Sequence, residues 1–411
     1  MWELISANRR KSIVLFILMG TCLVLMGLAL GSYFYPNGGG VYGLIFALIA
    51  WLILSWIAYF AGDSIFLAVG HAKEVTREIH PQLFNVVEEM KIASGLPIMP
   101  KIYIIDEEAM NAFAVGRSPN NCAIAVTAGL LAKLDRDELQ GVIAHEMSHI
   151  VNRDSLYMTF AGVTLGAVML ITNIFWYTGR LGGMRYRFRS SRSSGGGAAQ
   201  LLIPILAIIF IIVGAIMARL LYFAISRRRE YLADASAVRL TRYPDGLANA
   251  LEKISGDVVP LVSANKVTAP LYIANPIGRE VPAKIDWQST HPPISERIKI
   301  LRSMSMGAGY NNYQEAYSKV RQSSAAILPN SALSDKKEVP IINPAKVAPS
   351  VADKKTTQRA LGDLIMTVNN YMFLNCTCGL KIKVPPDINQ TKIACPLCGK
   401  EYEIPEAKSG A

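Results

Sequence analysis

Cysteine is scarce in this chain, six residues in 411, and four of the six fall in one C-terminal stretch, Cys376, Cys378, Cys395 and Cys398. That scarcity excludes a disulfide-stapled scaffold, and the clustering points to metal in a reducing compartment. Cys22, inside an apolar run, and Cys122, inside a strand-like one, read as small buried hydrophobes. Histidine is scarcer still, at five. Charge is thin: 18% of residues are charged against 51% hydrophobic, and the mean hydropathy of +0.28 is too apolar for an ordinary soluble protein. Acidic residues are in deficit, 31 against 42 basic, which leaves a net charge of +11. The basic residues gather beside apolar runs and in a late polar stretch rather than along one amphipathic face. That distribution speaks against nucleic acid as a partner and for anionic lipid headgroups.

What the chain has in abundance is long apolar runs. The first, Ile13 to Gly31, follows Arg9, Arg10 and Lys11 and has about the 20 residues a helix needs to cross a bilayer. A cleaved signal peptide is the competing reading. It is disfavoured because the run is long, shows no small-x-small cleavage site, and is followed at once by a second run, Val41 to Ala61. The link between the two lacks Lys and Arg, so the positive-inside rule places it outside and returns the chain to the cytoplasm near Asp63. Two more runs, Tyr157 to Tyr177 and Leu201 to Ala218, flank a Gly/Ser-rich stretch with Arg180, Arg185, Arg187, Arg189 and Arg192. Those arginines oppose a crossing hairpin, yet two long apolar helices would otherwise need burial in protein. A crossing hairpin is the expectation, and either arrangement keeps the sections on its two sides on one face of the membrane.

Between the runs lie sections of soluble character. Ile79 to Ser94 has a helical pattern, Lys101 to Ile105 and Ala123 to Val126 read as strands, and Asp135 to Asn152 reads as a helix that opens with acidic residues. This helix holds His145-Glu146-Met147-Ser148-His149, an HExxH pattern in which a spacing of four sets both imidazoles on one face, one turn apart. With five histidines, chance would produce the pattern in roughly one such chain in a hundred. Two neutral ring nitrogens can grip a zinc ion. Glu146, beside the first ligand, suits the general base that takes a proton from the attacking water and passes it to the leaving amine. A catalytic zinc needs a third protein ligand and one open position. Arg229-Glu230-Tyr231-Leu232-Ala233-Asp234 offers Glu230, with Asp234 one turn on to accept a hydrogen bond from the far nitrogen of a ligand histidine. A solvated helix face is the bland alternative for this pair. His291 and Arg297 are candidates to stabilise the tetrahedral oxyanion, although His-Pro-Pro can equally cap and orient the next helix. His71 and His80 read as ordinary surface or packed residues.

Met110 to Leu156 and Ser226 to Ala235 resemble the HtpX peptidases of the M48 family. Asn111-Ala-Phe-Ala-Val-Gly116, Ala123 to Thr127, Arg136 to Leu139, His145 to Asp154, and Thr290-His-Pro-Pro293 with Arg297 carry the resemblance in order. It covers roughly residues 1 to 304, including the four apolar runs. What it implies is a membrane endopeptidase of the bacterial plasma (inner) membrane, with a gluzincin fold facing the cytoplasm and a role in quality control of misfolded or damaged membrane proteins. It also implies zinc ligands at His145, His149 and Glu230, a base at Glu146, and an edge strand over Asn111, Ala112, Phe113, Ala114 and on to Gly116. Such a strand would pair with an extended polypeptide substrate.

Cys376-Thr-Cys378 and Cys395-Pro-Leu-Cys398 look like two knuckles of a zinc ribbon, with the first tighter than the usual CxxC. The expected whole is an α+β gluzincin-type peptidase, mainly helical, with four transmembrane helices, one catalytic zinc and one structural zinc. Residues 1–62 and 157–222 would be membrane hairpins, 63–156 and 223–306 the catalytic domain, 307–358 a polar linker and 359–411 the ribbon module. Acidic residues directly before HExxH argue against cleavage inside the bilayer. The alternative from another class is a membrane-anchored scaffold with an inert peptidase-like domain.

Overall fold

The computed structural model describes residues 2–35, 37–154, 227–263, 271–274, 291–305, 307–334, 339–342, 354–388 and 390–404. The apolar runs expected at 157–177 and 201–218 lie outside them. Two long helices open the chain, α1 (Trp2–Phe34) and α2 (Gly39–Val69). They pack through glycine: a Cβ on Gly27 would lie 2.5 Å from the Gly43 carbonyl oxygen and 2.3 Å from the Ala47 Cβ. Small residues let helix backbones approach this closely in membrane proteins. Four spanning helices were expected. Among the described residues only α2 is long and apolar enough to cross a membrane, while α1 carries a shorter apolar stretch, Phe16–Ser32.

α2 runs on into the peptidase core. Its last turns bring Phe66 and Leu67 onto a four-stranded sheet of order β1-β2-β4-β3, made of β1 (Ala72–Glu74), β2 (Lys101–Ile105), β3 (Ala112–Ser118) and β4 (Asn121–Thr127). β2 and β4 run parallel and the outer pairings are antiparallel, which leaves β3 as an edge. Strand alternation sends Ala112, Ala114, Ile124 and Val126 to one face, against α3 (Pro81–Ser94) and α5 (Arg136–Val151). Phe113, Val115, Ala123 and Ala125 go to the other, against Phe66, Leu67, Leu261 and Tyr272. Both faces are covered, so β3 and β4 read as near-continuous apolar runs. His80 has a local job: its Nδ1 accepts from Leu83 N at 3.1 Å and caps α3. The short α4 (Ala128–Lys133) links β4 to α5, and residues 227–241 form α6, followed by α7 (Pro244–Gly256) and α8 (Ile294–Arg302).

The polar stretch after residue 306 departs from expectation. Rather than a linker, residues 307–334 and 339–342 add α9 (Tyr310–Arg321) and the single turn α10 (Asn330–Leu333) to the main core, with Tyr310, Tyr313, Tyr317, Leu328, Ala332 and Val339 buried. The reason is periodicity hidden by composition. Tyr310, Tyr313 and Tyr317 recur at i, i+3 and i+7, one apolar face on an otherwise polar helix. α11 (Lys354–Val368) then packs on the peptidase core through Leu361 and Val368. Two small hairpins close the chain, β5 (Met372–Asn375) with β6 (Lys381–Val384) and β7 (Lys392–Ala394) with β8 (Glu401–Glu403).

Candidate metal centre

α5 is fixed at its start by a reciprocal capping box. Asp135 accepts from Glu138 N at 2.9 Å, and Glu138 returns to accept from Asp135 N at 2.8 Å. Gly141 then allows α7 to press directly on the helix, since a Cβ there would lie 2.7 Å from Leu247 N. So held, α5 presents His145 and His149 one turn apart, with ring centroids 4.9 Å apart and nearly perpendicular. α6 brings Glu230 across from them. Its Oε2 lies 3.6 Å from His145 Nε2 and its Oε1 lies 3.5 Å from His149 Nε2.

The far nitrogens are occupied. His145 Nδ1 sits 3.0 Å from Asp234 Oδ1 and His149 Nδ1 sits 3.4 Å from Asp154 Oδ2. Each imidazole therefore has its Nδ1 beside a carboxylate, which favours the tautomer that offers Nε2 as a lone pair. Asp154 was not given a role by the sequence. Its signal was its place just past the C-terminus of the histidine helix, where a chain reversal can return it to the second histidine.

The ligand atoms of His145, His149 and Glu230 all lie within 4.8 Å of one another. Whether they suit zinc is answered by buried atoms that the protein leaves without a hydrogen bond: His145 Nε2 and both carboxylate oxygens of Glu146. Buried polar atoms are costly unless something satisfies them. A zinc ion held by three protein ligands, with water beside it, fits this donor set. The electrostatics agree. Burial opposes ionisation of Glu230, but His291 and His145 outweigh it and hold the carboxylate well below the usual range. Burial likewise opposes Asp234, and the Arg297 guanidinium keeps it low. Burial lowers His145, but hydrogen bonding to Asp234 and Glu230 wins and pushes it up to about 9. Glu146 differs: burial raises its carboxyl against the pull of His145 and His149.

His291 and Arg297 both come to this site, in different ways. His291 is buried with Nδ1 3.1 Å from Glu230 Oε2. Arg297 is wholly enclosed: Nε and Nη2 donate to the two oxygens of Asp234 at 2.8 and 2.7 Å, and Nη1 donates to Ile273 O at 3.0 Å. On the sheet edge, Ala112, Phe113 and Ala114 lie in β3 while Asn111 precedes it. Asn111 is buried as a clasp: its N donates to Thr127 Oγ1 at 2.9 Å and its Nδ2 to Ala274 O at 3.0 Å. Ile273 N donates to Ala112 O at 2.9 Å, and Phe113 meets Tyr272 edge to face at 5.1 Å.

The second centre is separate. The Sγ atoms of Cys376, Cys378, Cys395 and Cys398 also gather within 4.8 Å, with contacts of 3.2, 3.4 and 3.7 Å and no disulfide. That spacing matches the edges of a tetrahedron of about 2.3 Å zinc–sulfur bonds. Gly379 and Gly399 take φ of +87° and +74° after each knuckle, conformations that side chains resist. The cluster is consistent with a structural zinc.

Comparison with known proteins agrees with this chemistry. The family model "Peptidase family M48" matches residues 78–305. A "Protease HtpX homolog" of Dictyoglomus turgidum is 43% identical over 303 residues, 74% of this chain and 94% of its own length. Homologues of the same name from Caldanaerobacter subterraneus and Listeria monocytogenes serotype 4a are 40% and 41% identical, again over 74% of this chain and over 98% and 100% of theirs. The crystal structure of S. mikatae Ste24p aligns with 73% of this chain and 67% of that one at TM-score 0.39 and 20% identity, too low to carry an argument. The site and the sequence relationships converge, and the chain belongs to peptidase family M48 as an HtpX-like zinc metallopeptidase.

Proposed function

We propose that this chain is a membrane-bound endopeptidase that hydrolyses peptide bonds of misfolded or damaged membrane proteins, with its zinc site on the cytoplasmic side. The observation that carries the reading is Glu146, a buried carboxylate with both oxygens unpaired, set beside a three-ligand metal centre. Continuity of the apolar α2 into the peptidase core supports the membrane assignment, because Phe66 and Leu67 tie the sheet to that helix. In this reading residues 1–62 and 157–222 are membrane hairpins. The catalytic domain comprises 63–156 and 223–306, extended by 307–342, and 359–411 is the ribbon module.

His145, His149 and Glu230 would hold the zinc, which would supply Lewis acidity toward water and the scissile carbonyl. Glu146 accepts the proton of the attacking water and delivers it to the leaving amine. Its raised carboxyl pKa suits both halves of that transfer. Asp234 and Asp154 orient His145 and His149. His291 donates to the developing oxyanion. Arg297 acts one layer back by locking Asp234 in a bidentate grip, with Nη1 also 3.4 Å from Glu230 Oε2. An extended substrate adds to the β3 edge from Ala114 onward, where backbone pairing gives broad specificity; the end of the edge at Ala112 is already bonded to Ile273.

The test is proteolysis of casein and of an unfolded membrane protein by the detergent-solubilised full chain, comparing wild type with Glu146→Gln. Loss of cleavage in the variant supports the mechanism. Cleavage that survives it overturns the role of Glu146, and a wild type that cuts nothing while holding zinc would favour a scaffold.

A further inference from the structure

The family match stops at residue 305, and relatives aligned over 94% or more of their own length cover 74% of this chain. α9 begins at Tyr310, beyond that match, yet it does not sit at the periphery. Its tyrosine face lies on α6, the helix that carries Glu230 and Asp234. Tyr310 OH is 3.2 Å from Ser236 Oγ, and Tyr317 packs edge to face on Tyr231 at 5.2 Å. Between them Tyr313, fully buried, directs its hydroxyl to Asp234 Oδ2 at 3.5 Å. An ionised carboxylate has about four acceptor sites. Those of Asp234 face four donors: Arg297 Nη2 and His145 Nδ1 at Oδ1, Arg297 Nε and Tyr313 OH at Oδ2. Removing the phenol leaves one site of a wholly buried carboxylate without a donor and loosens the set of contacts that aims Asp234 at His145.

We propose that Tyr313 is a positioning residue of the catalytic zinc site, supplied by a C-terminal extension outside the family domain. It acts through Asp234 on the His145 imidazole. The inference rests on the zinc ligands and on the role of Asp234 proposed above. It also gives the extension a purpose: the core that orients His145 is completed only when α9 is folded onto α6.

The experiment compares full-length wild type, Tyr313→Phe and Tyr317→Phe in detergent, following zinc release to a chelator, kcat and KM for a peptide, and thermal unfolding. The release phase absent from Glu230→Ala identifies the catalytic zinc. Tyr313→Phe keeps the ring and loses only the hydroxyl. It is expected to release that zinc about threefold to tenfold faster, at the low end of the effect of outer ligand-orienting groups, with kcat lowered and KM unchanged. Tyr317→Phe, whose ring packs on the same helix without touching Asp234, should match wild type. The proposal is overturned if Tyr313→Phe releases zinc at the wild-type rate, or if both variants change alike, which would make Tyr313 a packing residue. If Glu230→Ala loses no zinc phase, the ligand set itself is wrong and the inference falls with it.

Discussion

The two metal centres of this chain are built on opposite principles. The ribbon draws four thiols from two neighbouring hairpins and needs little besides its own turns. Among its described residues, Cys376, Ile382, Val384 and Cys395 form the buried core. The catalytic centre draws on α5 and α6, far apart in sequence, and is held by Asp154, Asp234, His291 and Arg297, all of them buried. Four ligands close a coordination sphere, whereas three leave it open. The ligands of the catalytic centre and their buried partners are set beside the main core cluster of the described residues. Local chemistry makes a structural site; a distributed core makes a reactive one.

Glu146→Gln should show the reactive side of this contrast most strongly. Gln has the shape of Glu without its basicity, so proteolysis should fall by about 10²–10⁴-fold while both zincs remain bound, as elemental analysis of the purified chain would show. Loss of zinc along with activity would make Glu146 a structural member of the centre and erase the distinction. His291→Ala comes next. Removing one oxyanion donor should lower kcat by about 10²–10³-fold with KM little changed; a rise in KM alone would assign His291 to substrate binding.

Much of this was legible in the sequence, for reasons that differ by residue. His145 and His149 were visible because helical spacing alone puts them together, and the cysteine knuckles because their whole geometry is local. The acidic residues from Asp135 to Glu138 announced the start of α5, and the capping box that Asp135 and Glu138 form there came from the structure. Glu230 and Asp234 could be read as a helical pair suited to complete the histidine site, and the fold brings Glu230 to the two histidines. The bidentate hold of Arg297 on Asp234 was not legible, because the two residues are 63 positions apart and no local pattern pairs them. The stretch after residue 306 was misread because averaged composition hides a tyrosine face two turns long. Asn111, expected to open the edge strand, precedes it and clasps Thr127 and Ala274, a tertiary bond with no sequence period.

Proton and metal compete at the catalytic centre, which offers a further way to separate the two. His145 is raised from its ordinary 6.5 to about 9 beside Asp234 and Glu230. In protein stripped of this metal, the stabilisation from the protonated ring is fully present below about pH 6.5 and disappears as pH rises through about 9. It amounts to on the order of 3 kcal/mol. In the loaded protein zinc takes the place of that proton, so thermal unfolding should vary less across the same window. Calorimetry of chelator-treated and loaded samples from pH 6 to about 9.5 would read this out. Parallel profiles would mean that His145 carries no proton for the metal to displace.

The smallest effect belongs to the ribbon. Cys395→Ser removes one of four thiolate ligands from the buried end of the module, and its zinc should be lost while the catalytic zinc stays. The module reaches the peptidase core through α11, whose Leu361 and Val368 pack there, and through Asn369 Nδ2, which donates to Asp106 Oδ2 at 2.5 Å. None of these contacts involves a cysteine, so the tether should outlast collapse of the knuckles. Hydrolysis of a short peptide should then remain within about twofold of wild type, as for sites that share no partners. A loss of about tenfold or more, well beyond additivity, would show that α11 transmits the state of the ribbon to α4 and the sheet. The two centres would then be one coupled device rather than a reactive core with an independent structural appendage.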